Sequence, residues 1–143
     1  MNILITGGSG FLGKILYDKL KDSNLVKTIG RSNKNDFCVD LSNNFIKLNQ
    51  SFDCIIHTAG NVHNENHANG FNNKMIIEDF QITQNVLKSQ QSNIKHFIFI
   101  SSMSVYDVEY GEDIDVNSQS YGKKGYGLSK RIIEIFLNDH PQI

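Results

Sequence analysis

The sequence predicts an α/β domain built on a parallel sheet. Short apolar runs rich in Ile, Val and Phe alternate along the chain with longer segments of helical period, which is typical of strands joined by crossover helices. The run at residues 53–57 lacks polar alternation, as expected when helices cover both faces of a strand. A glycine-rich turn stands between the first apolar run and the first helical segment. Together these observations favour a sheet with helices on both faces.

Each element follows from its local pattern. Strands are predicted at residues 3–5, 25–29, 37–39, 53–57 and 97–100. Apolar residues at helical spacing predict a first helix that carries Leu12, Ile15, Leu16 and Leu20, a brief helix through Phe45, Ile46 and Leu48, and longer helices over about 73–91 and 125–138. The Asn-rich segment 61–73 is predicted to be an irregular loop at the carboxyl end of a strand, where it could contact a substrate.

The composition indicates one domain over residues 1–143. The 14 Lys and Arg against 15 Asp and Glu give a net charge of -1, which offers no basic footprint for nucleic acid or an anionic membrane. The chain has no run of 18 apolar residues and no secretory signal pattern, so we expect a cytoplasmic protein. Cys38 and Cys54 are expected to be buried, reduced thiols. His63 and His67 lack the H-E-x-x-H pattern, so no metal site is predicted.

The glycine-rich turn is the first motif that carries chemistry. Gly8, Gly10 and Gly13 fit the pattern G-x-G-x-x-G, whereas Gly7, Gly10 and Gly13 fit T-G-x-x-G-x-x-G, and the preceding Thr6 favours the second register. Glycines between a strand and a helix let the chain reverse, let backbone N–H groups approach a pyrophosphate, and let the helix pack closely. We therefore predict that a nicotinamide dinucleotide is bound by Gly7, Gly10, Phe11, Leu12 and Gly13.

The end of the second strand bears on the choice of dinucleotide. An acidic residue at this place holds the ribose 2′-hydroxyl of NAD, whereas an arginine pairs with the extra phosphate of NADP. This chain has Arg31 and Ser32 there, which favours NADP over NAD. A solvated Arg31, or one stacked on adenine with either cofactor accepted, is the alternative.

A tyrosine and a lysine stand one turn apart on the last predicted helix. Lys130 beside Tyr126 is expected to lower the phenol pKa, so that the tyrosine can exchange protons with a sugar or alcohol hydroxyl. Ser101, Ser102 and Ser104 follow the strongest strand, at a position where a serine hydroxyl could hold the substrate oxygen. Tyr17 and Lys21 share the same spacing, but no catalytic partner precedes them, and we assign them a structural role.

Further segments match one known family in its own order. Besides the glycine turn, they are Asp40-Leu41, His57-Thr58-Ala59-Gly60, the stretch Ser101-Ser102-Met103-Ser104-Val105-Tyr106, and Tyr126-Gly127-Leu128-Ser129-Lys130. On these motifs the chain resembles the extended short-chain dehydrogenase/reductase family, the NAD-dependent epimerase/dehydratases that act on nucleotide sugars.

The resemblance implies a Rossmann-like doubly wound sheet of strand order 3-2-1-4-5, with NAD or NADP as hydride carrier. It implies a nucleotide-sugar substrate, an oxidoreductase or isomerase activity, and a role in surface polysaccharide assembly. Family members commonly dimerise through their fourth and fifth helices. The implied catalytic residues are Ser102, Tyr126 and Lys130, and the implied cofactor contacts are Asp40, Leu41, Thr58, Ala59, Gly60, Tyr126 and Lys130.

The departures from the family pattern narrow the expected reaction. Met103 and Ser104 stand where sugar dehydratases have Asp and Glu, so an epimerase or ketoreductase is favoured. Residues 79–83 lose the Asn and Gly of the family's N-V-x-G-T, and Asp107 replaces a Gly. The family's sixth strand and C-terminal substrate domain lie beyond the helix of Lys130, and this sequence ends at residue 143. A non-catalytic NAD(P)-binding module, or a truncated fragment without turnover, is therefore the alternative function.

Overall fold

The computed structural model describes residues 1–61, 73–89, 94–106, 114–118 and 125–139. The described strands are β1 (Asn2–Thr6), β2 (Leu25–Gly30), β3 (Phe37–Cys38), β4 (Cys54–His57) and β5 (His96–Phe99), and the described helices are α1 (Phe11–Leu20), α2 (Asn73–Lys88) and α3 (Gly125–Asn138). A short 3-10 turn (Met103–Tyr106) follows β5. The strands form one parallel sheet in the order β3-β2-β1-β4-β5, which confirms the predicted strand order.

Helices cover both faces of the sheet, as predicted. Side chains alternate along β1, so Ile3 and Ile5 pack towards α1 while Leu4 packs towards the opposite face. The α1 face holds a cluster with Leu16 and Tyr17, and the opposite face holds a larger one with Val86 of α2. Apolar residues covered on both sides explain why the central strands show no polar alternation.

Helices α2 and α3 pack against each other on the second face. The rings of Phe80 in α2 and Phe136 in α3 meet edge to face with centroids 4.9 Å apart. The side chain of Ser129 in α3 donates a hydrogen bond of 2.7 Å to Asp79 in α2. This pairing carries the start of α3 to the carboxyl ends of β4 and β5. No described helix is long and apolar enough to cross a membrane.

Three local predictions are corrected by the structure. The brief helix through Phe45, Ile46 and Leu48 does not form, because Leu48 is buried and its N–H donates to the carbonyl of Ser89 at the end of α2. Cys38 is exposed on β3, an edge strand, whereas Cys54 is buried as expected, and both are free thiols. Helix α2 ends at Lys88 and not near residue 91. The predicted loop residues 62–72, with His63 and His67, lie outside the described residues.

Candidate cofactor and active site

The glycine turn has the tight geometry that both predicted registers require, since a Cβ added at Gly8 would lie 2.5 Å from the Thr28 side chain. Gly7 has φ 68°, a left-handed conformation that disfavours other residues, and its N–H donates to the carbonyl of Ile29 at 2.8 Å. A Cβ added at Gly13 would overlap the carbonyl oxygen of Gly7, so α1 approaches the turn as closely as the motif requires. No side chain caps α1 at Gly10. The N–H groups of its first turn are thus left for an outside acceptor, at the positive end of the helix dipole.

A cleft of about 590 Å³ opens beside this turn, at the carboxyl ends of the strands. Its lining includes each predicted cofactor contact outside α3: Gly7, Gly10, Phe11, Leu12, Gly13, Arg31, Ser32, Asp40, Leu41, Thr58, Ala59 and Gly60. The sequence analysis missed seven further lining residues: Ser9, Gly30, Val39, Ser42, Asn61, Glu78 and Ile82. Most of them neighbour predicted residues in the chain. Glu78 and Ile82 come from α2 and share one helix face, a spacing that could have identified them.

Asn35 holds the segment after β2 against the glycine turn. This buried side chain donates to the carbonyl of Ser32 at 2.9 Å and to the hydroxyl of Ser9 at 3.4 Å. A Cβ added at Gly30 would come within 3.1 Å of the Asn35 amide nitrogen. The backbone that carries Arg31 is therefore fixed relative to the glycine turn, although no motif pointed to Asn35.

Asp40 lies in the cleft as an anion close to Arg31. Its carboxylate accepts hydrogen bonds from the Ser42 hydroxyl at 2.7 Å, the Ser42 N–H at 3.1 Å and the Asn43 amide at 3.0 Å. The Ser42 hydroxyl, followed by these N–H donors and the charge of Arg31, lowers the pKa of Asp40. The positive Arg31 and the negative Asp40 therefore line the part of the cleft where the adenosine of the cofactor is predicted to bind.

His57, the last residue of β4, links Thr6 at the end of β1 to Thr83 in α2. Thr83 donates its single hydroxyl proton to the carbonyl of Asp79, so His57 Nε2 must donate to Thr83 Oγ1 at 3.0 Å. His57 Nδ1 then accepts the Thr6 hydroxyl proton at 2.7 Å. Complete burial and the charge of Lys130 lower the pKa of His57 to about 3, so the ring is neutral with its proton on Nε2.

The Thr6 hydroxyl completes this network on the cleft side. Its oxygen accepts the N–H of Thr58 at 3.1 Å and the N–H of Ala59 at 3.0 Å, and the Thr58 hydroxyl donates to the Thr6 carbonyl at 2.6 Å. Both residues line the cleft. The leading Thr of the glycine motif therefore fixes the second wall of the cleft as well as the turn itself.

The structure brings Tyr126 and Lys130 together, with Lys130 beside Gly60 of the cleft wall. Lys130 Nζ lies 5.4 Å from the ring centroid of Tyr126 and 5.0 Å from that of Phe99. An ideal Cβ on Gly60, which lines the cleft, would lie 3.2 Å from the same nitrogen. The lysine is 4% exposed, which is unusual for this residue type and indicates a specific role. Tyr126, Lys130 and Ser102 are not among the lining residues of the cleft itself.

Ser102 is joined to α3 through the 3-10 turn. Its hydroxyl donates to Ser104 Oγ at 3.2 Å and accepts the Ser104 N–H at 3.2 Å. A Cβ added at Gly127 would overlap the carbonyl oxygen of Ser104, so the turn and the start of α3 are in close contact. The helix that carries Tyr126 therefore begins beside the segment that carries Ser102.

The pKa of Tyr126 moves in the direction opposite to that expected from its lysine neighbour. Burial, and next the charge of Asp79, raise the pKa of the Tyr126 phenol above its ordinary value. Burial lowers the pKa of Lys130, and the charge of Asp79 opposes that change. The prediction of a lowered tyrosine pKa is therefore wrong for the unliganded chain, because it included neither the burial of the phenol nor the charge of Asp79 on α2.

The second Tyr-Lys pair behaves as predicted for a structural pair. Lys21 forms an exposed ion pair with Asp18 at 2.7 Å and lies over the ring of Tyr17 at 5.4 Å. Over the part of the chain that the structure describes, no three His, Cys, Asp or Glu side chains cluster as metal ligands.

Comparison with known proteins agrees with this geometry. The family model described as NAD dependent epimerase/dehydratase family matches residues 3–141. The chain therefore belongs to the NAD-dependent epimerase/dehydratase family. A curated relative, D-erythronate dehydrogenase of Haemophilus influenzae, is 28% identical over 161 aligned residues, which cover 99% of this chain and 50% of that protein.

Solved structures show the same fold. A UDP-galactose 4-epimerase matches with a TM-score of 0.80 and 23% identity, over 98% of this chain and 51% of its own. The UDP-Glc/GlcNAc 4-epimerase of Campylobacter jejuni matches with a TM-score of 0.75 and 23% identity, over 96% and 48%. The Bifidobacterium longum UDP-glucose 4-epimerase, solved with NAD+ and UDP, gives 0.75 and 19%, over 98% and 49%. The chain thus spans about half the length of the proteins it matches.

Proposed function

We propose that this chain is the cofactor-binding and catalytic half of an NAD(P)-dependent nucleotide-sugar epimerase or ketoreductase. The observation that carries the proposal is the continuity of the site. The glycine turn and the β4 loop line one cleft, and Lys130 reaches its wall at Gly60. Uncapped N–H groups at the start of α1 suit a pyrophosphate. The buried lysine beside Tyr126 suits proton transfer at the opposite end.

Ser102, Tyr126 and Lys130 each have a separate role in the proposed reaction. When bound, NAD or NADP supplies a hydride acceptor and a positive charge on the nicotinamide ring. Tyr126 exchanges a proton with the sugar hydroxyl, and Lys130 holds a positive charge beside it. Ser102 anchors the same substrate oxygen from the end of β5. Because Met103 and Ser104 offer no carboxylate beside Ser102, oxidation and reduction at one sugar carbon is favoured over water elimination.

The choice between the two dinucleotides rests on Arg31. Its place in the cleft, on backbone fixed by Asn35, supports recognition of a 2′-phosphate, so we propose a preference for NADP. The anion at Asp40 opposes that preference. Titration calorimetry of the chain with NADP+ and NAD+ tests the choice: Arg31→Ala should weaken NADP+ binding about tenfold and leave NAD+ binding nearly unchanged. An unaltered ratio of the two affinities would contradict the assignment.

Turnover is tested with sugar nucleotides. With UDP-glucose, UDP-galactose and their N-acetyl forms, wild-type chain should interconvert epimers or change cofactor absorbance at 340 nm. Tyr126→Phe should reduce the rate at least 100-fold with cofactor affinity retained, and Tyr17→Phe is the matched control. Cofactor binding without turnover would favour the alternative, a non-catalytic NAD(P)-binding module.

The exposed side of helices α2 and α3 is proposed as a dimer surface. Ile77 of α2 and Ile135 of α3 are exposed on helices that pack against each other. A second copy that covers them would form a four-helix contact, so the chain should be a dimer by light scattering and Ile135→Glu should shift it to monomer. A monomeric wild-type chain at high concentration would contradict this surface.

A further inference from the structure

Asp79 stands where the resemblance to the family led us to expect an asparagine. Its side chain is 1% exposed and lies on α2 between the β4 loop and α3. Asp79 Oδ1 accepts the Asn61 N–H at 2.7 Å and the Asn61 amide at 2.9 Å, while Oδ2 accepts the Ser129 hydroxyl at 2.7 Å. An asparagine could make a similar set by donating its amide to Ser129. The contribution specific to aspartate is therefore its negative charge.

That charge lies close to the ammonium of Lys130. An ideal Cβ on Gly60 would lie 3.2 Å from Lys130 Nζ and 3.6 Å from Asp79 Oδ1, so the two groups converge on one point beside the cleft. Ser129, which binds the carboxylate, directly precedes Lys130 in α3. Among the described residues, Asp79 is the buried carboxylic acid and Lys130 is the buried amine.

The other titratable groups around the pair come from three elements. His57 of β4 is neutral, because burial and the charge of Lys130 lower its pKa to about 3. Glu78 of α2 reaches Asn61 at 3.3 Å but opens to the cleft, with its side chain 35% exposed and near Lys74. Tyr126 is one turn from Lys130 in α3. Asp79 is thus the anion best shielded from solvent near Lys130 and Tyr126.

We propose that Asp79 is the buried counter-ion of Lys130, a positioning residue that keeps the lysine ammonium charged and the Tyr126 hydroxyl protonated before cofactor and substrate bind. The negative charge of Asp79 accounts for both effects. A nearby negative charge favours the protonated form of both groups, since it stabilises an ammonium and destabilises a phenolate. In the unliganded chain, the pair would then be poised to donate a proton. Its use in catalysis rests on the proposed function, whereas the charge coupling does not.

Asp79→Asn tests the coupling, because it removes the charge and retains the shape. The pKa values of Lys130 and Tyr126, followed by carbon-13 NMR of Lys Cε and Tyr Cζ in the unliganded chain, should each fall by about one unit, a tenfold change in the proton affinity of each group. Glu78→Gln, which removes the neighbouring charge that faces solvent, should move both pKa values much less. A loss of stability in Asp79→Asn without movement of either pKa would show a purely structural role and overturn the proposal.

A reciprocal variant keeps the test decisive if Asp79→Asn does not fold. In Lys130→Met the carboxyl of Asp79, followed by carbon-13 NMR, should titrate at a pH at least one unit higher than in the wild type. An unchanged Asp79 titration would overturn the proposal. Because these titrations need neither cofactor nor substrate, failure to bind dinucleotide or to turn over a sugar would contradict the proposed function alone.

Discussion

The buried histidine predicts how stability depends on pH. His57 is neutral in the folded chain because burial, together with the charge of Lys130, lowers its pKa from an ordinary value of 6.5 to about 3. Below pH 6.5 the unfolded chain binds a proton at this residue and the folded chain does not, so the free energy of unfolding must fall as pH falls. The contribution is complete above the unfolded pKa and is lost progressively towards pH 3. The slope is about 1.4 kcal/mol per pH unit, so about 2 kcal/mol is lost at pH 5.

Urea denaturation at pH 7.5, 6.5, 5.5 and 5.0 measures this loss. His57→Gln should flatten the curve over that range, whatever its own stability, while His96→Gln, which alters an exposed histidine at the edge of the sheet, should leave the wild-type slope unchanged. The carboxyl groups with lowered pKa, such as Asp36 and Asp53, titrate below this window. A wild-type curve as flat as that of His57→Gln would refute the assignment of a neutral, proton-resistant ring.

Two further predictions concern the strand-to-helix turn. Thr6→Val leaves His57 Nδ1 and two backbone N–H groups without their partner. Urea denaturation should show that the free energy of unfolding falls by about 2–4 kcal/mol, whereas Thr28→Val, which removes a hydroxyl bonded to Asp36, should lower it by about 1 kcal/mol. Equal losses in the two variants would contradict the network. In Gly13→Ala the new Cβ overlaps the Gly7 carbonyl, so calorimetry should show dinucleotide affinity reduced at least tenfold. Lys19→Ala, which alters an exposed residue at the far end of α1, should retain that affinity. Unchanged affinity in Gly13→Ala would contradict the proposed cradle.

The parts of the fold that the sequence predicted are those encoded by local pattern. The glycine turn lies between an apolar run and an amphipathic helix, and this arrangement predicts a β-α unit from neighbouring residues alone. The segment around Leu48 was mispredicted because its conformation is set by Ser89, which is distant in sequence. Helical spacing of three apolar residues did not outweigh that tertiary contact. Likewise, Cys38 stands in an apolar run but lies on an edge strand, which periodicity does not reveal.

The candidate site also contains residues that local sequence predicts and residues that only tertiary packing brings together. Contacts at the ends of β1, β2 and β4 were predictable because the carboxyl ends of parallel strands meet at one edge of a sheet. Residues that reach the cleft from α2, such as Glu78, depend on how that helix packs. The pKa of Tyr126 depends on Asp79, a carboxylate brought near by the α2–α3 contact. Spacing within α3 predicts the lysine neighbour of Tyr126 but not the opposing charge.

The Thr6 hydroxyl has a consequence for the energetics of ligand capture. The Thr6 hydroxyl oxygen joins the end of β1, where the glycine turn begins, to Thr58 and Ala59. Through His57 the same hydroxyl is also connected to Thr83 in α2. The two walls of the cleft are therefore held in fixed positions relative to each other in the unliganded chain. For the dinucleotide proposed to bind here, little conformational entropy would then remain to be lost on binding, and this preorganisation would favour affinity.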